Sequence, residues 1–246
     1  MTLYDSIGRR YATTRVSDPR IEARIHAALG SAARVVNVGA GAGSYEPPGR
    51  VIAAVDPSLV MLGQRAAGAA PAVCGVAGRL PFADGSFDAA MATLTLHHWP
   101  DWQAGVAELR RVAARSVVFT FEPALEDALW LVKEYLPEIK GQHDFRFPPA
   151  DEIAEALGDA TVEVVRVPAD CTDGFTGAFW ARPEAYLDRG NRAGMSALAK
   201  LDQDMVANRM ARLADDLASG AWDERWGHLR EPAEVDLGYR LVSSAP

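Results

Sequence analysis

Three alternating glycines, Gly39-Ala40-Gly41-Ala42-Gly43, follow the β-branched stretch 34–38, and Asp56 closes the next apolar run, 51–55. Glycine tolerates positive φ and puts no Cβ between backbone and ligand, so such a turn can seat a small molecule against main-chain atoms. A carboxylate at the end of the neighbouring strand can accept hydrogen bonds from both hydroxyls of a ribose. The segment Asp56-Pro57-Ser58 also reads as a helix cap with the Asp56 side chain in water. A dinucleotide fingerprint needs G-x-G-x-x-G, yet counting from Gly39 or Gly41 puts Ser44 or Glu46 at the third position. Pro47 and Pro48 leave little room for a helix aimed at a pyrophosphate. A ligand without that group fits better, and a nicotinamide-dependent oxidoreductase is disfavoured.

A second group of residues could move protons or hold a substrate. His97 and His98 are candidate catalytic bases, because an unperturbed imidazole titrates at about 6.5; the alternative is that they bond locally and shape a pocket. His143, Asp173, Phe175 and Trp180 are candidate acceptor-binding residues, a mix of polar and aromatic groups suited to an amine or an aromatic alcohol. Tyr11 and Arg15, near the N-terminus, combine an aromatic face suited to a cation with a guanidinium suited to a carboxylate, or lie on a solvated amphipathic helix. The histidines His26, His97, His98, His143 and His228 include no i, i+4 pair, so no metal site is expected.

The elements that must position these residues alternate. Strands are predicted at 34–38, 51–55, 72–76, 87–96 and 116–121, with a helix carrying Trp102, Val106, Leu109 and Val112 between the last two. Alternation of this kind implies a doubly wound, mostly parallel α/β sheet that binds its ligand at the carboxyl ends of the strands. Further on, one helix is predicted through Leu125, Leu129, Val132 and Leu136. A second is expected at 149–157 and a third at about 191–219, with strands at 161–167 and 235–242 completing seven.

The stretch Leu80-Pro81-Phe82-Ala83-Asp84-Gly85-Ser86-Phe87-Asp88, followed by Leu96-His97-His98, resembles the class I S-adenosylmethionine-dependent methyltransferases of the small-molecule type. The resemblance is strong over about 35–121. It implies a Rossmann-like methyltransferase fold with a helical lid in the C-terminal half, and S-adenosylmethionine as cofactor. Carried over by position, it implies cofactor contacts at Asn37, Gly39, Gly41, Gly43, Asp56, Pro57, Ala77, Gly78 and Thr93. Two positions depart from the family pattern: Asn37 stands where an acid is usual, and Val76 where an aspartate often meets the adenine amino group. The implied activity is methyl transfer to an O or N atom of a small molecule. Alternatives are a non-methyl reaction such as cyclisation, or a non-catalytic cofactor-binding partner protein.

With 246 residues, one domain (1–246) is expected. Its expected parts are N-terminal cofactor-covering helices (1–30), a cofactor-binding half (34–121) and acceptor-side and lid elements (122–234). A formal charge of -8 gives no broad basic footprint, so neither nucleic acid nor an anionic membrane is an expected partner. Lacking an apolar leader, the chain is expected to be cytoplasmic, as a monomer or homodimer, with Cys74 and Cys171 reduced.

Overall fold

Successive residues of a strand face opposite sides of its sheet, and the central runs here are apolar at both parities, which requires cover on both faces. The computed structural model describes residues 15–142, 147–158 and 160–245. Its strands are β1 (Val35–Val38), β2 (Val51–Asp56), β3 (Ala72–Cys74), β4 (Phe87–Thr93), β5 (Ala113–Phe121), β6 (Ala160–Val164), β7 (Val167–Pro168), β8 (Glu234–Val235) and β9 (Tyr239–Ser244). Seven of them form one sheet in the order β3-β2-β1-β4-β5-β9-β6, while β7 and β8 pair separately. Strands β1 to β5 are parallel, and β9 runs antiparallel between β5 and β6. This is the Rossmann-like methyltransferase fold expected from the sequence.

The two parities build two cores. Val35, Ala89, Met91, Val117, Phe119 and Leu241 pack on one face with Ile21 and Ile25 of α1 (Pro19–Ala28) and with the C-terminal helical region. Val36, Val38, Ala90, Ala92, Val118 and Val242 pack on the other, with Val106, Leu109 and Val112 of α3 (Trp102–Val112) and Ile153 and Leu157 of α4 (Ala150–Leu157). Helix starts follow their caps: Asp18 accepts from the Arg20 N–H ahead of α1, and Asp101 from the Ala104 N–H ahead of α3. Between β1 and β2 the connection consists of turns, in keeping with Pro47 and Pro48, and the short α2 (Leu59–Leu62) follows β2.

The C-terminal half departs from the predicted elements. The expected helix through Leu125 and Leu136 is instead a 3-10 helix, Pro123–Ala128, followed by a π-helical turn, Leu131–Tyr135. Leu129 to Val132 are all buried, so the surrounding core rather than one amphipathic stripe dictates the path. The expected helix at 191–219 divides into α5 (Arg189–Ala193), α6 (Ser196–Ala199) and α7 (Gln203–Ser219), because Gly194 caps the first and Asp202 starts the last by accepting from the Met205 N–H. Helix α8 (Ala221–Trp226) comes next. The expected strand 235–242 breaks at Gly238, whose φ of 96° turns the chain from β8 into β9. Strand β3 stops at Cys74 and β4 at Thr93, short of their expected ends.

Candidate active site

Most residues predicted to touch cofactor hang on the carboxyl ends of β1 to β4. As the chain leaves β1, the Gly39 and Ala40 N–H groups both donate to the Val55 carbonyl, at 2.8 and 3.0 Å, which pins the turn to β2. Gly39 has φ +71°, and a Cβ there would come within 2.0 Å of Thr95 Oγ1. Only glycine fits, and the main chain is left bare toward the cavity. Asp56 ends β2 with Oδ2 accepting from the Gly41 N–H and Oδ1 from the Ser58 N–H, both at 2.8 Å. It therefore holds the glycine turn, and it also lines the cavities on either side of it. A carboxylate oxygen has two lone pairs, so these backbone bonds leave acceptor capacity for a ligand's hydroxyls.

Two chambers meet at Asp56 and Gly39. One is small and lined by Arg15, Gly39, Gly41, Asp56, Thr93, Leu94 and His98. The other is more open, with Pro57, Ala77, Gly78 and Trp99 in its walls. A bare peptide turn, a strand-end carboxylate and an apolar shelf beyond it suit a methionine-bearing adenosine. Val76 is 54% exposed, so the shelf offers main chain and apolar surface without a carboxylate at that position.

Two of the implied cofactor residues stand behind this surface. Asn37 is fully buried and donates from Nδ2 to Glu46 Oε1 at 2.9 Å, while its Oδ1 has no hydrogen-bond partner among the described residues. Glu46 in turn receives both terminal nitrogens of Arg65, at 2.8 and 2.9 Å. The loop thus brings its own acid to the side chain at 37, and a bidentate buried pair clamps the turn from outside. A Cβ on Gly43, at φ +97°, would come within 3.3 Å of that pair.

A third cavity lies beyond the end of β4, with about 780 Å³ of atom-free space including its mouth. Leu94, Phe121, Leu129, Val132, Phe147, Phe175 and Tyr239 make it mainly apolar, and Arg15, Glu126, Thr176 and Ser196 add the polar groups. Leu94 adopts φ +47°, a strained conformation for leucine, as its N–H donates to the Phe119 carbonyl at 2.7 Å. Arg15 and Leu94 line both this cavity and the glycine chamber.

The two histidines divide between the cavities. His97 faces the apolar one and His98 the cofactor chambers, with ring centroids 3.8 Å apart. Phe147 stacks on His97 at 4.0 Å. Burial, with Lys200 and the neighbouring ring adding to it, pushes His97 well below the usual imidazole range. Burial and then Lys200 lower His98 to about 3. Both rings are neutral at physiological pH.

Of the candidate acceptor residues, Phe175 lines the apolar cavity. Asp173 is fully buried beneath it, accepting from Arg15 Nε at 2.6 Å, Arg15 Nη2 at 3.2 Å, the Tyr45 hydroxyl at 2.6 Å and the Gly174 N–H at 2.6 Å. Trp180 is a core residue whose indole N–H donates to the Val167 and Pro168 carbonyls. Tyr11 and His143 lie outside the described residues. Leu94 and Thr95 fall in the strand-four segment 93–97 that the family resemblance points to, whereas Glu46, Arg65 and Glu126 carried no signal in the sequence.

A seven-stranded sheet in the order β3-β2-β1-β4-β5-β9-β6, parallel but for β9, with cavities at the ends of β1, β2 and β4, is the fold of the class I methyltransferases. Residues 36–121 match a family profile described as a methyltransferase domain. A solved structure from Anabaena variabilis ATCC 29413, described as a methyltransferase of an antibiotic biosynthesis pathway, superposes with a TM-score of 0.87 at 30% identity, over 95% of this chain and 99% of that one. Curated demethylmenaquinone methyltransferases of Mycolicibacterium vanbaalenii and Corynebacterium urealyticum are 39% and 29% identical over 113 and 152 residues, covering 44% and 55% of this chain. The matches span 46% and 65% of those relatives' own length. The [4+2]-cyclase SpnF, at 17% identity and a TM-score of 0.57 over 98% of this chain and 93% of its own, shares the fold. The chain belongs to the S-adenosylmethionine-dependent methyltransferases and is an enzyme of that type. Among the described residues no helix is long and apolar enough to cross a membrane.

Proposed function

We propose that this enzyme transfers the methyl group of S-adenosylmethionine to an oxygen or nitrogen atom of an apolar small molecule. The observation that carries the reading is the junction at the end of β4, where Arg15 and Leu94 form a wall common to the glycine chamber and the apolar cavity. Cofactor and acceptor would meet there, and methyl transfer demands little beyond that alignment. Bound S-adenosylmethionine supplies an electrophilic methyl group and a leaving group that departs neutral. Gly39, Gly41 and Thr93 would seat its amino-acid and sugar portions, Asp56 its ribose hydroxyls, and Pro57, Ala77 and Gly78 its base. Phe175, Phe147 and Tyr239 would enclose the acceptor and exclude water. Relatives named demethylmenaquinone methyltransferases support a small-molecule acceptor, and the mainly apolar walls support one of low polarity. On this reading the whole chain acts as one domain, with residues 122–234 supplying the acceptor side.

The neutral histidines shape this reading. His97 borders the acceptor cavity and could receive a proton only transiently, whereas His98 faces the cofactor side. Incubation of the protein with S-adenosylmethionine and a panel of apolar phenols and amines, followed by mass spectrometry, tests the proposal. It requires S-adenosylhomocysteine and a product heavier by one methylene. Cofactor consumption without that increment, or an unmethylated isomer as product, would refute it.

A further inference from the structure

The apolar cavity carries one carboxylate that no side chain hydrogen-bonds or ion-pairs among the described residues. Glu126 sits in the 3-10 helix Pro123–Ala128 and lines the cavity beside Leu129, Val132 and Ile139. It makes no hydrogen bond or ion pair among the described residues, whereas the other formal charges around it are matched. Arg15 is bound through two nitrogens to Asp173. Lys140, in the 3-10 helix Pro137–Gly141, pairs with Asp127, and His97 is neutral. A carboxylate in an apolar wall loses hydration without a partner to replace it, and a ligand that donates to it recovers that loss.

Resting on the function proposed above, we infer that Glu126 is the specificity-determining anchor of the acceptor cavity, and that the acceptor is an apolar molecule bearing an amine that donates to its carboxylate. An acceptor with a carboxylate or phosphate head would be repelled, and a plain hydrocarbon would leave Glu126, half-buried in the cavity wall, without a hydrogen-bond partner. Thr176 and Ser196, on the same wall, offer hydroxyls to the remaining valences of such a head group. Burial already raises the Glu126 pKa, with Lys140 opposing and Asp127 reinforcing, as expected of a carboxyl that lacks a buried cation of its own.

Calorimetry with phenylbutylamine and phenylbutyrate as probes, on the full chain saturated with S-adenosylhomocysteine, decides the matter. The wild type should favour the amine by about tenfold or more, and Glu126→Gln should abolish that preference while binding S-adenosylhomocysteine as the wild type does. Absence of an amine preference in the wild type, whether both probes bind or neither, would overturn the inference, as would a preference that survives in Glu126→Gln. If S-adenosylhomocysteine itself fails to bind, the proposed function falls, yet the same probe comparison without it still decides the role of Glu126.

Discussion

The half proposed to bind the cofactor and the half proposed to hold the acceptor are built by different means. Around β1 and β2 the candidate surface is main chain: a glycine turn hydrogen-bonded to Val55 and braced by Asp56, all within residues 39–56. The acceptor cavity draws side chains from Arg15 to Tyr239, assembled only when the C-terminal helices dock. A surface made of backbone constrains sequence tightly, because one Cβ at Gly39 is fatal to it. A surface made of side chains from distant segments can be rebuilt by changing any of them. One fold can therefore keep its cofactor and vary its acceptor.

The sharpest way to break this contrast is to cut the tie between the halves. Asp173→Ala removes the partner of Arg15 in a pair whose side chains are 8% and 0% exposed, and should destabilise the protein by about 3–5 kcal/mol in urea denaturation. A loss below about 1 kcal/mol, the range of a surface pair, would mean that Arg15 and Tyr45 are held by other contacts. Next in size, Gly39→Ala combines a positive φ with a clash against Thr95 and should cost about 2–4 kcal/mol. Its S-adenosylhomocysteine affinity should fall with it; a variant as stable and as tight-binding as wild type would show that the turn is not constrained by its backbone.

The smallest of these effects is in pH. His97 and His98 are neutral in the folded protein, whereas an unfolded histidine titrates at about 6.5. Below that value the unfolded chain binds protons that the folded chain refuses, so their contribution is complete above about 6.5 and drains away as pH falls toward the folded His98 value of about 3. Replacing both with Phe should flatten the acid side of the Tm-against-pH curve. An unchanged slope would place the acid sensitivity elsewhere.

Legibility from the sequence followed the same division. The carboxyl ends of β1, β2 and β5, the glycine turn and the absence of a helix after β1 were readable, because local chemistry fixes them. Helix boundaries after Glu122 were not, since Leu129 to Val132 are buried on all sides and tertiary packing overrides the helical period. Asp173 and Trp180 have residue types that suit a pocket, yet long-range partners, Arg15 and Tyr45 for one and the Val167 and Pro168 carbonyls for the other, draw them inward. Glu126 gave no signal at all, because an acid flanked by Leu125 and Asp127 looks like any solvated helix face.

Titration of S-adenosylhomocysteine into the wild type and Asp56→Ala by calorimetry bears most directly on the account. It predicts one site per chain in the wild type and an affinity weaker by about tenfold or more in the variant, the loss expected when charge-assisted bonds to a ribose disappear. Equal affinities would reduce Asp56 to a brace for Gly41 and Ser58, and the grip on the sugar would have to come from somewhere other than the end of β2.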